Sequence, residues 1–570
     1  MTIKKLMILV LALVVISTLI FSSCGKPEET TTTPPTTSSA PPTSSAPPTS
    51  SAPSTSVKPP ATTTAPPPAT VPPQYGGVFR IITPLDPTVL GDVTEQAGRA
   101  TFYQYCVNER LVVYAPDVWQ NQDYEGVLAT DWEIKNEMRT YEFTLRKGVK
   151  FHDGTDWNAE SCKWNLDLKK EVGNSSTWNN MLSCQILDDY KVRINFSEPQ
   201  NHFLVEASVG CYFMSPTSFM AAGDTLEERK AWATDHPVGT GPFKLKEVMR
   251  GAYVKYERFD DYWRGKPYLD GVEFVIIPDA TVSAAMMEAG DADMYAYADH
   301  KVSIDLSKKE GFTARYRDKH SPQGIWPQAQ DPESVWYDKR VREALGYAVN
   351  REAIVKAVDM GANAIHVMYQ APIGPEDPAY REGWGRFYDP DKARALLDEA
   401  GLSSGFECDL HVSAATPIMQ DVAVMVQSNL ADVGIKVNIN IISPGQYMGY
   451  LLRGWPSGSL LMSGIPNEPI PSFVALRDYR CENLQIPKWN HDTVTTPEMC
   501  RLYEVLETAT TPETITAAYV ALSNQAMDDA IGCFMMDWPD TAVIADYVHT
   551  DWISYSTKVW NADQTWMEDH

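Results

Sequence analysis

Basic side chains are scarce in this chain: 48 Lys and Arg stand against 74 Asp and Glu, for a net charge of −26. A nucleic-acid backbone is gripped by clustered Lys and Arg, so this balance excludes a nucleic-acid partner. The acid excess otherwise serves solubility. The sequence has no Cys-x-x-Cys and no His-rich cluster, and it lacks His-Glu-x-x-His, Gly-x-Ser-x-Gly and a Walker phosphate loop. Those absences remove the common motifs for metals, activated nucleophiles and nucleotides, so no cofactor and no metal are expected. Two carboxylate pairs, Asp153 with Asp156 and Asp291 with Asp293, keep a secreted glycosidase as the enzyme alternative. Large apolar side chains are nearly missing from residues 27–73, which are almost all Pro, Thr, Ser and Ala. Such a tract cannot repay the entropy of ordering. Proline extends it by roughly 3.1 Å per residue, and Ser and Thr beside Pro suit O-glycosylation.

What precedes that tract is the opposite. Lys4 and Lys5 lead into an apolar run from Leu6 to Phe21, and Ser22-Ser23-Cys24-Gly25 follows. Basic, apolar and then small residues make a secretory signal. Small residues before a cysteine resemble a bacterial lipobox, so residues 1–24 read as a signal peptide with Cys24 as the lipid attachment. Residues 25–74 read as a tether that holds a folded body away from the membrane, outside the cytoplasm. An uncleaved N-terminal helix anchor is the alternative.

Nine cysteines are present. With Cys24 set aside, eight remain, and an even number in an exported chain is expected to form structural disulfides rather than a metal site. Buried free thiols are the alternative, and the pairing is not readable. The body from 74 onward is too long for one ordinary domain. Gly76-Gly77 turns into a strand. Tyr141–Lys147 alternates, with Tyr141, Phe143 and Leu145 on the inner face and Glu142, Thr144 and Arg146 outside. Tyr190–Phe196 and Ile435–Ile441 repeat the pattern, the second after a helical stretch from Gln420 to Val433. Val341, Ala344, Leu345, Ala348 and Val349 recur at helical spacing, continued by Ile354, Val355 and Val358, with Gly361 as the expected C-cap. Asp389 caps a short helix that Pro390 opens and Gly401 ends. Strands and helices mix throughout, and the class is α/β.

Seven stretches together resemble one family: LATDWEI at 128–134, YEFTLRKGVKFHDGTDWNAESCKWNL at 141–166, PVGTGPFKL at 237–245, DYWRGKPYLDGVEFVIIPDATVSAAMMEAGDADM at 261–294, DKRVREALGYAVNREAIVKAV at 338–358, DPDKARALLDEAG at 389–401 and VMVQSNLADVGIKVNI at 424–439. They stand in the order found in the family-5 extracellular solute-binding proteins of ABC importers, which include dipeptide, oligopeptide and nickel binders. The resemblance implies a periplasmic-binding-protein-like fold of type II, with two lobes around a ligand cleft. It implies a first lobe from 75–115, 235–318 and 528–570, an inserted subdomain at 116–234 and a second lobe at 319–527. It further implies a monomer that captures a small molecule or short peptide, closes by hinge motion and is read by membrane permease subunits. A sensor component without transport is an alternative. Within these stretches Gly239-Thr240-Gly241 reads as a tight turn, and Arg340 and Arg342 as ion pairs at a helix start.

Peptide-binding members resemble a Trp-x-x-Asp-Tyr-x-Asp-Pro pattern whose first Asp meets the peptide's amino group. Here the stretch is Met462-Ser-Gly-Ile465-Pro-Asn-Glu468-Pro469, with Met462 and Ile465 at the Trp and Asp positions. A buried ammonium without a carboxylate is costly, so Ile465 argues for an amine-free, more apolar solute. The other pocket candidates are Trp326, Gln328, Tyr447, Tyr450, Arg453, Trp455 and Trp538. Arg453 would suit a ligand carboxylate.

Overall fold

The structure is a computed structural model that describes residues 71–569, apart from 95–97, 115–123, 174–175, 317–320, 369–376, 465–471, 473–474, 477–478, 480, 482–492, 494 and 553–559. The leader, Cys24, most of the tether, Ile465 and Glu468 lie outside the described residues.

The strands, in chain order, begin with β1 (Val78–Thr83) and a ribbon of β2 (Val112–Tyr114) with β3 (Tyr124–Gly126). Next come β4 (Ala129–Lys135), β5 (Thr140–Leu145), β6 (Met181–Asp188) and β7 (Lys191–Phe196), which form an antiparallel sheet in the order β4-β5-β7-β6. They are followed by β8 (Phe243–Met249), β9 (Tyr253–Arg258), β10 (Gly271–Ile276), β11 (Met294–Ala296) and β12 (Phe312–Tyr316). Then come β13 (Ser321–Pro327), β14 (His366–Val367), β15 (Phe406–Ser413), β16 (Ile435–Ile442), β17 (Leu460–Gly464) and β18 (Cys533–Trp538). The chain closes with β19 (Thr541–Ala545), β20 (Val548–His549) and β21 (Trp566–Met567). A seven-stranded sheet runs β12-β19-β11-β1-β10-β9-β8, and a six-stranded sheet runs β14-β18-β13-β17-β15-β16.

Each large sheet has its own core. Phe79, Ile81, Phe102, Tyr103, Phe274 and Ile544 pack around the seven-stranded sheet. Leu345, Val412, Val426, Leu460, Leu522 and Met535 pack around the six-stranded one. Phe143, Phe151, Trp157, Ile194 and Phe203 form the core of the four-stranded sheet.

Local rules account for many of these elements. Asn158 caps the Ala159–Val172 helix in a reciprocal box with Ser161, and Asp389 caps Pro390–Glu399 through the Lys392 amide. Gly239 and Gly241 press against the backbone at 106–107: a Cβ on Gly239 would lie 2.1 Å from the Val107 carbonyl oxygen. That close approach explains the glycines.

Several expectations are corrected. Glu142 does not face water. It is buried, and its carboxylate lies 2.9 Å from Lys135 Nζ and 2.7 Å from Arg193 Nη2. Hydrogen bonds from those two side chains hold its pKa down at about 2. The helix through 341–358 is two helices, Lys339–Ala348 and Arg351–Asp359, and the left-handed C-cap is Met360 rather than Gly361. Arg340 does pair with Asp338. Among the described residues Arg342 makes no such pair: it is buried and donates to the carbonyls of Trp336, Tyr337, Asp529 and Ala530. Within segment 528–570, β18 pairs with β13 and β14, β19 joins the seven-stranded sheet, and β20 and β21 pair with each other. One disulfide, Cys481–Cys500, is present among the described residues. Cys106, Cys162, Cys184, Cys211, Cys408 and Cys533 are buried free thiols. Small apolar positions in three separate cores suit them.

Candidate functional site: the cleft between two sheets

Strand direction locates the site. Tyr316, the last residue of β12, pairs with Thr541, the first of β19. Because β11 is antiparallel to β19, and β1 and β10 run with β11, the ends of β11, β1 and β10 reach the same edge. Across the chain crossings, Ser321 at the start of β13 pairs with Trp538 at the end of β18. Gln323 pairs with Gly464 at the end of β17, and β15 and β16 run parallel to β17 and end at Ser413 and Ile442. The carboxyl ends of the parallel strands in the two sheets therefore face the seam where Pro539 and Asp540 join β18 to β19. In open α/β sheets that is where ligands bind.

The loops at this edge lead directly into helices. Asp279 caps Ala280–Ala289 after β10, and Asp299 caps His300–Ser307 after β11. On the other side Pro417–Ala431 starts after β15, and Ser443 caps Pro444–Arg453 after β16. Four helix N-termini thus lie at the cleft, where unpaired amides and the dipole favour negative charge. Tyr297, next to the end of β11, takes a left-handed backbone at φ 53. That conformation is uncommon for an aromatic residue and is held by packing on Phe102 at 5.4 Å. His300 bridges the two sides: its Nε2 donates to the Asp359 carbonyl at 3.3 Å, and its ring lies 5.4 Å from Trp538 and 6.0 Å from Tyr316.

The residues anticipated for a pocket separate into distinct groups. Tyr447 donates its hydroxyl to Ser463 Oγ at 3.0 Å, beside the end of β17. Tyr450 stands 5.2 Å from the ring of His411. With Trp538, these are near the cleft edge. Trp326, Met462 and Trp455 are instead buried in the core of the six-stranded sheet, and Trp326 donates to the Ser463 carbonyl at 3.2 Å. Gln328 follows the far end of β13, where its amide meets Ser459. Arg453 ends the helix whose N-terminus is at the cleft. Three acids of the two carboxylate pairs are structural ties. Asp293 accepts from the Arg80 amide and the Tyr547 hydroxyl, Asp153 accepts from Ser218 and Thr155, and Asp156 pairs with Lys150.

Sequence reasoning missed Tyr297, His300 and His411. His411 is buried on β15 with no hydrogen bond to either ring nitrogen among the described residues, and burial lowers its pKa. Asp279 and Asp299, as caps directly after strands, carried a sequence signal for the Tyr297 and His300 part of this edge.

The model of the family described as bacterial extracellular solute-binding proteins, family 5 Middle, matches residues 123–467. The glutathione-binding protein GsiB of Salmonella choleraesuis (strain SC-B67) is 30% identical over 377 residues, 64% of this chain and 68% of that protein. Among solved structures, the periplasmic binding protein DppA of Helicobacter pylori, in complex with the peptide STSA, superposes with a TM-score of 0.74 at 20% identity, over 87% of this chain and 99% of that one. NikA of Brucella suis, in complex with Fe(III)-EDTA, superposes with a TM-score of 0.73 at 21% identity, over 86% and 100%. At those identities the two structures speak for the fold: two lobes around a cleft.

Proposed function

Because the chain belongs to the bacterial extracellular solute-binding proteins of family 5, which serve ABC importers and are not enzymes, we propose that it captures a short, peptide-like solute bearing a free carboxylate. The solute lies between the seven- and six-stranded sheets and is delivered to the membrane permease. The observation that carries this reading is the meeting of strand carboxyl ends at the β18–β19 seam, with four helix N-termini around them. The glutathione named for GsiB and the peptide in the DppA complex support the same ligand class. Tyr447, Tyr450, Tyr297 and Trp538 are the side chains we assign to the solute. The protein works as a monomer, anchored by a lipid on Cys24 and held off the membrane by the tether.

The test is to purify the protein from its host, denature it and identify the released molecules by mass spectrometry. Short peptides or glutathione-like thiols are the expected result. A single compound with neither a peptide bond nor a carboxylate overturns the reading. Ile465, where peptide binders carry Asp, favours a second reading, a carboxylate solute without an α-amine. Recovery of N-acylated or amine-free acids would select it. For the anchor, a Cys24→Ala chain should be released from the membrane fraction, and retention there rejects lipidation at Cys24.

A further inference from the structure

A polar cavity of about 150 Å³ lies between the β2–β3 ribbon and the segments around Pro242, Tyr262 and Trp560. Its wall holds an unusual set of charges. Arg110 is 4% exposed and has no carboxylate partner among the described residues. Its guanidinium is sandwiched at 4.8 Å from the Tyr105 ring and 4.5 Å from the Tyr212 ring, and it bonds the Tyr212 hydroxyl. Its Nε has no hydrogen-bond acceptor. A buried cation in that state is expensive unless an anionic group completes it. Arg264, exposed at the same wall, stacks on Trp263 at 4.7 Å; its charge acts on Glu109, but it makes no direct ion pair among the described residues.

The cavity also carries the opposite demand. Asn108 is 3% exposed, and its Oδ1 accepts no hydrogen bond. Glu109 is buried beside it, accepting from Tyr262 at 2.9 Å and Trp263 at 2.8 Å. Burial still pushes its pKa up to about 6, a position that a neighbouring cation would relieve. Asp563 lines the same space and is 4% exposed. These acids disfavour a multiply charged anion such as phosphate. Unmet positive charge, an unmet acceptor and buried carboxylates in one small space call for a molecule with both charges.

We propose that this cavity is a second solute site that takes a small zwitterion of the α-amino acid class, with its carboxylate on Arg110 and Arg264 and its ammonium toward Asn108, Glu109 and Asp563. A volume of about 150 Å³ suits the smallest members of the class, glycine and alanine. The site is independent of the solute carried in the cleft.

The experiment is calorimetric titration of the purified full-length protein with glycine, and separately with acetate and methylammonium. Glycine should bind saturably, and each half-molecule at least tenfold more weakly. Arg264→Ala, an exposed change, should weaken glycine at least tenfold, as should Arg110→Lys where thermal melting shows it folded. Tyr447→Phe, in the cleft, should leave glycine binding unchanged. Absence of saturable glycine binding overturns the proposal, as does unchanged affinity in every folded cavity variant. Acetate binding as tightly as glycine also overturns it, because the occupant is then a plain anion.

Discussion

The side-chain amide of Asn201, in the part of the chain that carries the four-stranded sheet, donates to the Leu506 carbonyl at 2.8 Å across 305 positions of sequence. The same nitrogen reaches the Ala509 carbonyl at 2.8 Å, so one asparagine satisfies two carbonyls at the end of the Pro497–Thr508 helix. Asn201→Ala leaves both without that donor and should lower stability by about 1–2 kcal/mol. Because the contact joins two separate cores, the variant should also show a larger radius of gyration in solution scattering. An unchanged radius would mean that the contact does not hold the bodies together.

His152 sets a pH dependence. Its Nε2 donates to the Gly241 carbonyl at 2.9 Å, its Nδ1 is buried without a hydrogen-bond partner among the described residues, and burial lowers its pKa to about 4. The folded state therefore refuses a proton that the unfolded chain accepts near 6.5. The associated stability is complete above pH 6.5 and is lost as the pH falls toward 4, by up to roughly 3 kcal/mol. Urea denaturation of His152→Gln, which keeps a donor but cannot titrate, should show a flatter stability profile between pH 6.5 and 4 than the parent.

The thiols give a counting test. Burial pushes Cys184, Cys211 and Cys408 up to about 12, and all six free thiols of the body are buried. None of the six should react with a thiol reagent in the native protein, and all six should react after unfolding without reductant. The Cys481–Cys500 bond closes a span of 19 residues. Removing it by Cys481→Ser with Cys500→Ser should cost about 3 kcal/mol, read as a lower Tm.

Arg342 is the fourth test. Burial lowers its pKa to about 10, and its fork meets four carbonyls. Lysine keeps the charge but cannot present that planar fork, so Arg342→Lys should destabilise by about 3 kcal/mol. Arg340→Lys, on an exposed pair with Asp338, should change stability by less than about 1 kcal/mol.

Much of the fold was legible because it is written in local periods. The alternation at 191–196 and 435–442 and the Asp389–Pro390 start need only neighbouring residues. The cleft was less legible, because its rim is made by strand ends that meet only after pairing across hundreds of positions. Trp326 and Trp455 illustrate the difficulty: a large ring fills a core as readily as it lines a pocket, and their neighbours in the six-stranded sheet decide which. Arg340 and Arg342 are two positions apart, yet one lies at the surface and the other beneath the 529–530 turn. The positive φ of Tyr297 is a tertiary imposition with no signature in its residue type.

β18 ends at Trp538 and β19 begins at Thr541, so Pro539 and Asp540 alone carry the chain from the six-stranded sheet to the seven-stranded one at this seam. Two residues span at most about 7 Å, so the sheets cannot part there. A solute between them therefore meets two walls that the chain already holds together, and the rigid-body entropy of bringing the second wall to it has been removed in advance.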